Sequence, residues 1–200
     1  MQDIQLSTLT LDRELLNDLL TGALVAADKS KHAIAKLGSV YLSVKDNKLT
    51  ATATDRYRLV SGSADVSAPD MDTMQLLVAD VKRILALVKN NKLAREITLT
   101  RAGDSLSVAA QGDSLTIYLL GDTLPDIEQL LNKPSTDLSA ISLNATYLGE
   151  FAKIPSSAKD SQINLEFTAT DSGTPTQIKI KVLHDRIAWR CLLMPMRVSA

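Results

Sequence analysis

Cysteine is nearly absent from this 200-residue chain. Cys191 is the only one, so no internal disulfide can form, and the sequence fits a reducing compartment. Aromatic residues make up only 4 %, so the core has to be aliphatic, built from Leu, Val, Ile and Ala. Neither sign of charge dominates: the formal balance of −1 gives no global attraction to nucleic acid. Such a role needs basic residues gathered on one face. The eight glycines are scattered singly, which excludes a glycine-rich phosphate loop. The two histidines, His32 and His184, stand far apart, and no cysteine cluster or second His–Asp pair accompanies His184-Asp185, which reads as a turn rather than a metal site. No apolar run approaches the length of a membrane span, and no basic segment followed by an apolar one opens the chain. A cytoplasmic protein is expected. Paired carboxylates (Asp12/Glu14, Asp126/Glu128) sit at helix starts or in a connection, where solvated charge is the default. Together these absences predict a protein that is not an enzyme and uses no cofactor or metal.

What is present is a recurrent pattern. The alternation Ile4-Gln5-Leu6-Ser7 predicts a strand. Thr10 is expected to cap a helix whose apolar stripe (Leu15, Leu16, Leu19, Leu20, Ala23, Ala27) runs to about Asp28. Strands are predicted at Ser39 to Val44, Lys48 to Thr54 and Tyr57 to Ser63, with Asp46-Asn47 as a tight turn. After the break at Ala68-Pro69-Asp70 the same order returns. A strand spans Met74 to Val78, and a helix beginning near Asp80 carries Val81, Ile84, Leu85 and Val88. Strands follow at Glu96 to Thr100, Ser105 to Ala110 and around Leu115, Ile117 and Leu119. A third round is predicted from a strand at Ala140 to Leu143. Asn144 then caps a helix that Pro155 ends by Ile154. Strands at Ile163 to Thr168, around Ile178, Ile180 and Val182, and at Ile187 to Met194 complete it. Three strand–helix–three-strand units predict an α+β fold of antiparallel sheets with helices on one face. The expected division is a domain of two units over 1–132 (about 1–68 and 69–132), then a third unit, a half-domain, over 133–200.

Three stretches stand out against this scaffold. Lys82, Arg83, Lys89 and Lys92 on or just beyond the second helix, with Lys153 and Lys159 on or after the third, form either a solvated charged face or a weakly basic layer facing a polyanion. The first helix is not basic, because Arg13 is offset by Asp12, Glu14 and Asp18. The run Thr54-Asp55-Arg56-Tyr57-Arg58-Leu59 reads as a hairpin turn. The ending Leu192-Leu193-Met194-Pro195-Met196-Arg197-Val198 is unusually apolar for a terminus. Cys191 reads as a small core residue beside it.

The hairpin run resembles the Ala-Thr-Asp-Gly-His-Arg-Leu stretch of the bacterial sliding clamp family, the beta subunit of replicative DNA polymerase III. The ending resembles that family's Val-Met-Pro-Met-Arg-Leu terminus. Gly121-Asp122-Thr123-Leu124-Pro125-Asp126-Ile127-Glu128-Gln129-Leu130-Leu131 is similar to its Gly-x-Phe-Pro-Asp-Tyr-x-x-Val-Leu connection. The resemblance implies the DNA-clamp fold, with residues 1 to about 132 matching the middle clamp domain and those from about 137 the second half of the last. It implies an apolar pocket for short linear peptides at Thr54, Arg56, Tyr57, Arg58, Leu59, Pro125, Gln129, Leu130, Leu192, Leu193, Met194, Pro195, Met196 and Arg197. Arg56 stands where the family has glycine, Tyr57 where it has histidine, and Gln129 where it has a basic residue.

The implied partners are duplex DNA bound without sequence preference, a DNA polymerase and other proteins carrying clamp-binding peptides, and a clamp loader. Family rings resemble twelve units around DNA, so four copies of this chain would supply a homotetrameric ring. The reduced size resembles a phage or mobile-element version. Two functions follow: a processivity clamp encircling DNA, or a clamp-derived peptide-binding adaptor that does not.

Overall fold

A computed structural model describes residues 6–30, 32–121, 124, 127–132, 141–157, 163–169 and 175–196. The first round runs β1 (Leu6–Asp12), α1 (Arg13–Ala23), β2 (Ser39–Lys45), β3 (Lys48–Thr54) and β4 (Arg58–Asp65). The second runs β5 (Met71–Leu77), α2 (Val78–Asn90), β6 (Glu96–Ala102), β7 (Ser105–Ala110) and β8 (Asp113–Tyr118). A short helix α3 (Glu128–Leu131) interrupts the connection. The third round has α4 (Ala145–Glu150), a 3-10 turn at Phe151–Lys153, β9 (Ile163–Ala169), β10 (Pro175–Val182) and β11 (Ala188–Leu193).

The first two rounds interlock. Each gives its first strand to the other's sheet, so β1 pairs antiparallel with β6 and β5 with β2. The results are a four-stranded sheet, β1-β6-β7-β8, and a run β5-β2-β3-β4 that β11, β10 and β9 extend to seven strands. Helices α1 and α2 lie against each other and against the strands, burying Leu15, Leu16, Leu19 and Leu20 on one and Val81, Ile84, Leu85 and Val88 on the other. Each fully buried aliphatic side chain of this size contributes about 1.5–3 kcal/mol, so these two stripes hold the layers together. The fold is α+β with antiparallel sheets, as the pattern predicts.

Several local expectations are corrected. Thr10 lies in β1, opposite Thr98, and Asp12 caps α1 instead, its Oδ1 accepting from the Leu15 N–H at 3.0 Å. The strand continues through Thr10 because cross-strand pairing outweighs its capping potential. Helix α1 ends at Ala23 rather than near Asp28, since Val25 and Ala26 donate to the carbonyls of Gly22 and Ala23 in tight turns. Val25, Ala26 and Ala27 are buried all the same, which is why their stripe looks helical. The second round's first strand begins at Met71, before the predicted Met74, and α2 starts at Val78 without a side-chain cap. The strand expected over Ala140 to Leu143 does not form: residues 141–144 have no regular secondary structure, and Ala140 lies outside the described residues. Ile4 and Gln5 also lie outside them. The Asp46-Asn47 turn has positive φ at both residues (51° and 59°), the conformation a two-residue hairpin of this hand requires.

The third round is fastened to the first along β4 and β11, which pair from Ser63↔Ala188 to Arg58↔Leu193. Trp189 anchors this seam. Its indole is 4 % exposed and its Nε1 donates to the Pro155 carbonyl at 3.1 Å. The ring lies directly over two glycines: a Cβ at Gly22 would fall 2.1 Å from Cη2, and one at Gly62 2.3 Å from Cζ3. No other residue leaves room for the ring. Gly62→Ala is therefore expected to lower stability by about 1–3 kcal/mol through overpacking, read from chemical denaturation. Adding Trp189→Leu should recover part of that loss.

Candidate peptide groove and basic face

The hairpin between β3 and β4 is built by Asp55. Its Oδ1 accepts from the backbone N–H groups of Tyr57 and Arg58, both at 3.0 Å, while Oδ2 accepts from Arg58 Nε at 3.0 Å. Thr54 Oγ1 donates to the Arg58 carbonyl and receives the Arg56 N–H. The chain turns at Arg56 with φ of 78°, a left-handed conformation that favours glycine. The departure noted at this position therefore falls where the backbone still has a glycine-like shape.

Arg58 is nearly enclosed. Its guanidinium bonds Asp55 and Glu150 of α4, and its Cζ stands 4.5 Å from the ring centroid of Tyr147. Tyr147 in turn lies beside Tyr57, ring centroids 6.0 Å apart. This ion pair and stack tie the hairpin to α4, which by itself buries no residue. Asn144 caps α4, accepting from Thr146 and Tyr147 N–H at 2.9 and 3.2 Å. The chain's final described residues run across the same place. Met194 N–H donates to the Tyr57 carbonyl and Met196 N–H to the Ser142 carbonyl, each at 2.8 Å.

The result is a groove of about 560 Å³ lined by Arg56, Tyr57, Asn144, Tyr147, Met194, Pro195 and Met196. Tyr57, Met194 and Met196 are 60 %, 40 % and 54 % exposed, a concentration of apolar surface that polar neighbours do not cover. Of the other expected pocket residues, Leu59 and Leu192 are cross-strand partners and pack with Leu131 and Ile127 in a small separate cluster. Gln177 donates through Nε2 to the Leu130 carbonyl, holding α3 there. Leu130 and Gln129 are exposed beside that cluster. Leu193 is wholly buried, and Thr54 and Arg58 shape the turn from within. Pro125 and Arg197 lie outside the described residues. The structure thus distributes the expected residues over a groove and an adjoining apolar patch, with β4 and β11 passing between.

Asn144 and Tyr147 join the groove without having been singled out for it, and the Ser142 carbonyl holds Met196 beside them; the capping signal at Asn144 marked the helix but not its neighbour. On the helix side, Lys82, Arg83, Lys89, Lys92 and Lys153 are all exposed, and Lys159 lies outside the described residues. Arg83 pairs with Asp80 at 3.0 Å and Lys153 with Glu150 at 3.5 Å. Lys29, which follows α1, joins them. Its pKa is lowered, first by desolvation and further by repulsion from Arg58, Lys153 and Lys82, against the attraction of Glu150. Lys29, Lys82 and Lys153 are therefore close enough to feel one another.

Cys191 is buried and its thiol is pushed up to about 12, far from a reactive thiolate. His184 makes the turn expected of it, Nδ1 accepting from the Arg186 and Ile187 N–H groups at 3.1 Å. Among the described residues no group of three His, Cys, Asp or Glu is placed to hold a metal, and no helix is long and apolar enough to cross a membrane.

Two interlocked rounds with a third fastened by its last strand define the DNA-clamp fold. Solved structures with that fold cover nearly all of the chain. The DNA polymerase III beta subunit of Thermotoga maritima superposes with a TM-score of 0.67 at 13 % identity, over 96 % of this chain and 66 % of its own. The sliding clamp of Bartonella birtlesii, solved with griselimycin, gives 0.69 at 13 % identity, over 98 % and 66 %. The C. crescentus beta sliding clamp gives 0.66 at 15 % identity, over 99 % and 68 %. The chain thus spans about two thirds of the length of these clamps. No family model matches the sequence, and no curated protein matches it by sequence.

Burial works to raise the pKa of Glu150, but the hydrogen bond and charge of Arg58, with Lys29 and Lys153, outweigh it and hold the carboxyl below its ordinary value. Asp12 is lowered likewise: burial opposes, while the Leu15 N–H and Arg186 prevail. Depressed carboxylates contribute stability that is complete above their unfolded pKa and is lost as pH falls through the folded one. Stability is expected to fall on acidification below the usual carboxylate range. Glu150→Gln should remove part of that slope and cost about 1–3 kcal/mol at neutral pH, measured by denaturant titration at several pH values. Arg56→Gly should stabilise by about 0.5–1 kcal/mol by relieving the left-handed residue.

Proposed function

We propose that this chain is a compact, non-catalytic DNA clamp of the cytoplasm, a processivity factor that encircles duplex DNA and tethers a polymerase through an apolar peptide groove. The observation that carries this reading is the groove itself. On a clamp fold, the tail Met194-Pro195-Met196 is held open against Tyr57 and Tyr147. Methionine adapts to varied apolar anchors, and a preformed groove suits an extended or helical peptide. Arg56 and Tyr57 narrow one end, so partner preference differs from that of clamps with glycine and histidine there. Clients are polymerases and other replication or repair proteins bearing short clamp-binding segments, with a clamp loader to open the ring. The domain division proposed is two units to about residue 132 and a half-domain from 133. Four copies would bring twelve units into a ring.

The helix face supports the DNA side. Lys82, Lys89 and Lys92, with Lys29 and Lys153 near, offer phosphate contacts independent of sequence. Topological linkage replaces tight binding, so a modest basic lining suffices. The near-neutral net charge of −1 favours the second reading, an adaptor that binds peptides without encircling DNA.

The two readings separate on nicked circular DNA. A clamp is retained during gel filtration and is lost on linearisation; an adaptor is never retained. For the groove, Met194→Ala with Met196→Ala is expected to abolish binding of a clamp-type peptide in fluorescence anisotropy while circular dichroism stays unchanged. Unaltered peptide affinity would remove the groove from the proposal.

A further inference from the structure

The third round is built to be completed in the way that the first two complete each other. In all three, the positions four and two residues before the helix are apolar: Leu9 and Leu11 before α1, Met74 and Leu76 before α2, Ile141 and Leu143 before α4. The first four are buried because each pair joins the second strand of the other round, through Leu9↔Leu99, Leu11↔Ile97, Met74↔Leu42 and Leu76↔Val40. Ile141 and Leu143 are only half-buried and pair with no strand among the described residues.

A second correspondence fixes the orientation of this segment. Three residues before α2, the Gln75 carbonyl accepts from Leu120, just past β8. Three residues before α4, the Ser142 carbonyl accepts from Met196, just past β11. The segment around Ser142 therefore sits as β5 does, with the same edge occupied. Backbone groups of adjacent residues in an extended chain point to opposite edges, so its other edge, the one by which β5 joins β2, meets no strand among the described residues.

The acceptor is present as well. β9 pairs with β10, and its outer edge meets no strand among the described residues. Ile163, Leu165 and Phe167 lie opposite Val182, Ile180 and Ile178 on the core face. Ile180 is 1 % exposed, yet its direct partner Leu165 is 37 % exposed. Tyr147 and Leu148 of α4 are likewise half-buried, and among the described residues no helix packs on them as α2 does on α1. An open edge over an uncovered apolar face is a liability unless something pairs with it.

We propose that a second copy of this chain fills the place, in a two-fold exchange. Residues 141–143 of each copy add to β9 of the other, Leu143 opposite Ile163 and Ile141 opposite Leu165, and the two α4 helices face each other as α1 faces α2. The chain cannot serve itself. In the complete rounds no first strand pairs within its own round, and the connection 119–144 is far shorter than either full round (6–65 and 71–118). A copy of the same chain carries both unmatched parts, a free first strand and an open second strand, as an isologous interface requires. The exchange rests on the fold alone, so it stands or falls separately from DNA and peptide binding.

Light scattering of the wild-type chain at micromolar concentration is expected to give twice the chain mass or an even multiple; a monomer or a trimer overturns the proposal. Leu165→Lys should weaken the association at least tenfold with the circular dichroism spectrum kept, and an unchanged assembly overturns it. The contact itself is read by oxidising a mixture of a Leu143→Cys chain and an Ile163→Cys chain. A disulfide-linked pair is expected in the mixture and not with either alone, since Cys191 is buried. An assembled protein that yields no such link excludes this interface. If Leu165→Lys fails to fold, hydrogen exchange on the wild type decides: amides of β9 should exchange more slowly as concentration rises, and concentration-independent exchange counts against the exchange of strands.

Discussion

The packing of one indole against two glycines governs the molecule. Trp189 reaches from β11 across the seam and occupies the hollows that Gly22 of α1 and Gly62 of β4 leave. Helix α1, strand β4 of the first round and the third round thus meet at a single side chain. The groove lies downstream of that contact. The register from Ser63↔Ala188 to Arg58↔Leu193 brings the end of β11 to the start of β4. Met194 then emerges beside Tyr57, and the groove has its two walls. A shift of one residue along the seam would turn Leu193 and Cys191 out of the core and carry the methionines away from the hairpin.

The groove's polar support is as economical. Asp55 spends both oxygens on the turn and on Arg58, and Arg58 spends its remaining reach on Glu150 and the Tyr147 face. A buried cation without such partners would be costly. With them it links a hairpin of the first round to a helix of the third that has little burial of its own. Glu150 also stands between Arg58 and the surface lysines. The same carboxylate steadies the groove and tempers the repulsion within the basic face.

Much of the architecture was legible in sequence because it depends on local chemistry. Asp46-Asn47 and Pro155 act through their own backbone and Asn144 through its side-chain oxygen on the next turn, and the structure uses each as its residue type suggests. Thr10 misled because a partner distant in sequence, Thr98 across the sheet, decided its fate, and the Val25–Ala27 stretch because its buried residues follow tight turns after Gly22 rather than a helix. The alternation at Ile141 and Leu143 is a true strand pattern without a strand opposite it. At the groove, the methionines and the hairpin could be named from their letters. Tyr147, Ser142 and Lys29 could not, for only the folded chain sets α4 and the end of α1 beside them. The left-handed Arg56 was visible as a departure, but its conformation was not.

Trp189 is the only tryptophan in the chain. Its indole is sealed at the junction of the third round with the rest, so the protein's tryptophan emission originates entirely from that junction. Partial detachment of the third round would redshift the whole signal while most of the backbone stayed folded. The molecule carries its own optical gauge of whether the two walls of the groove are together.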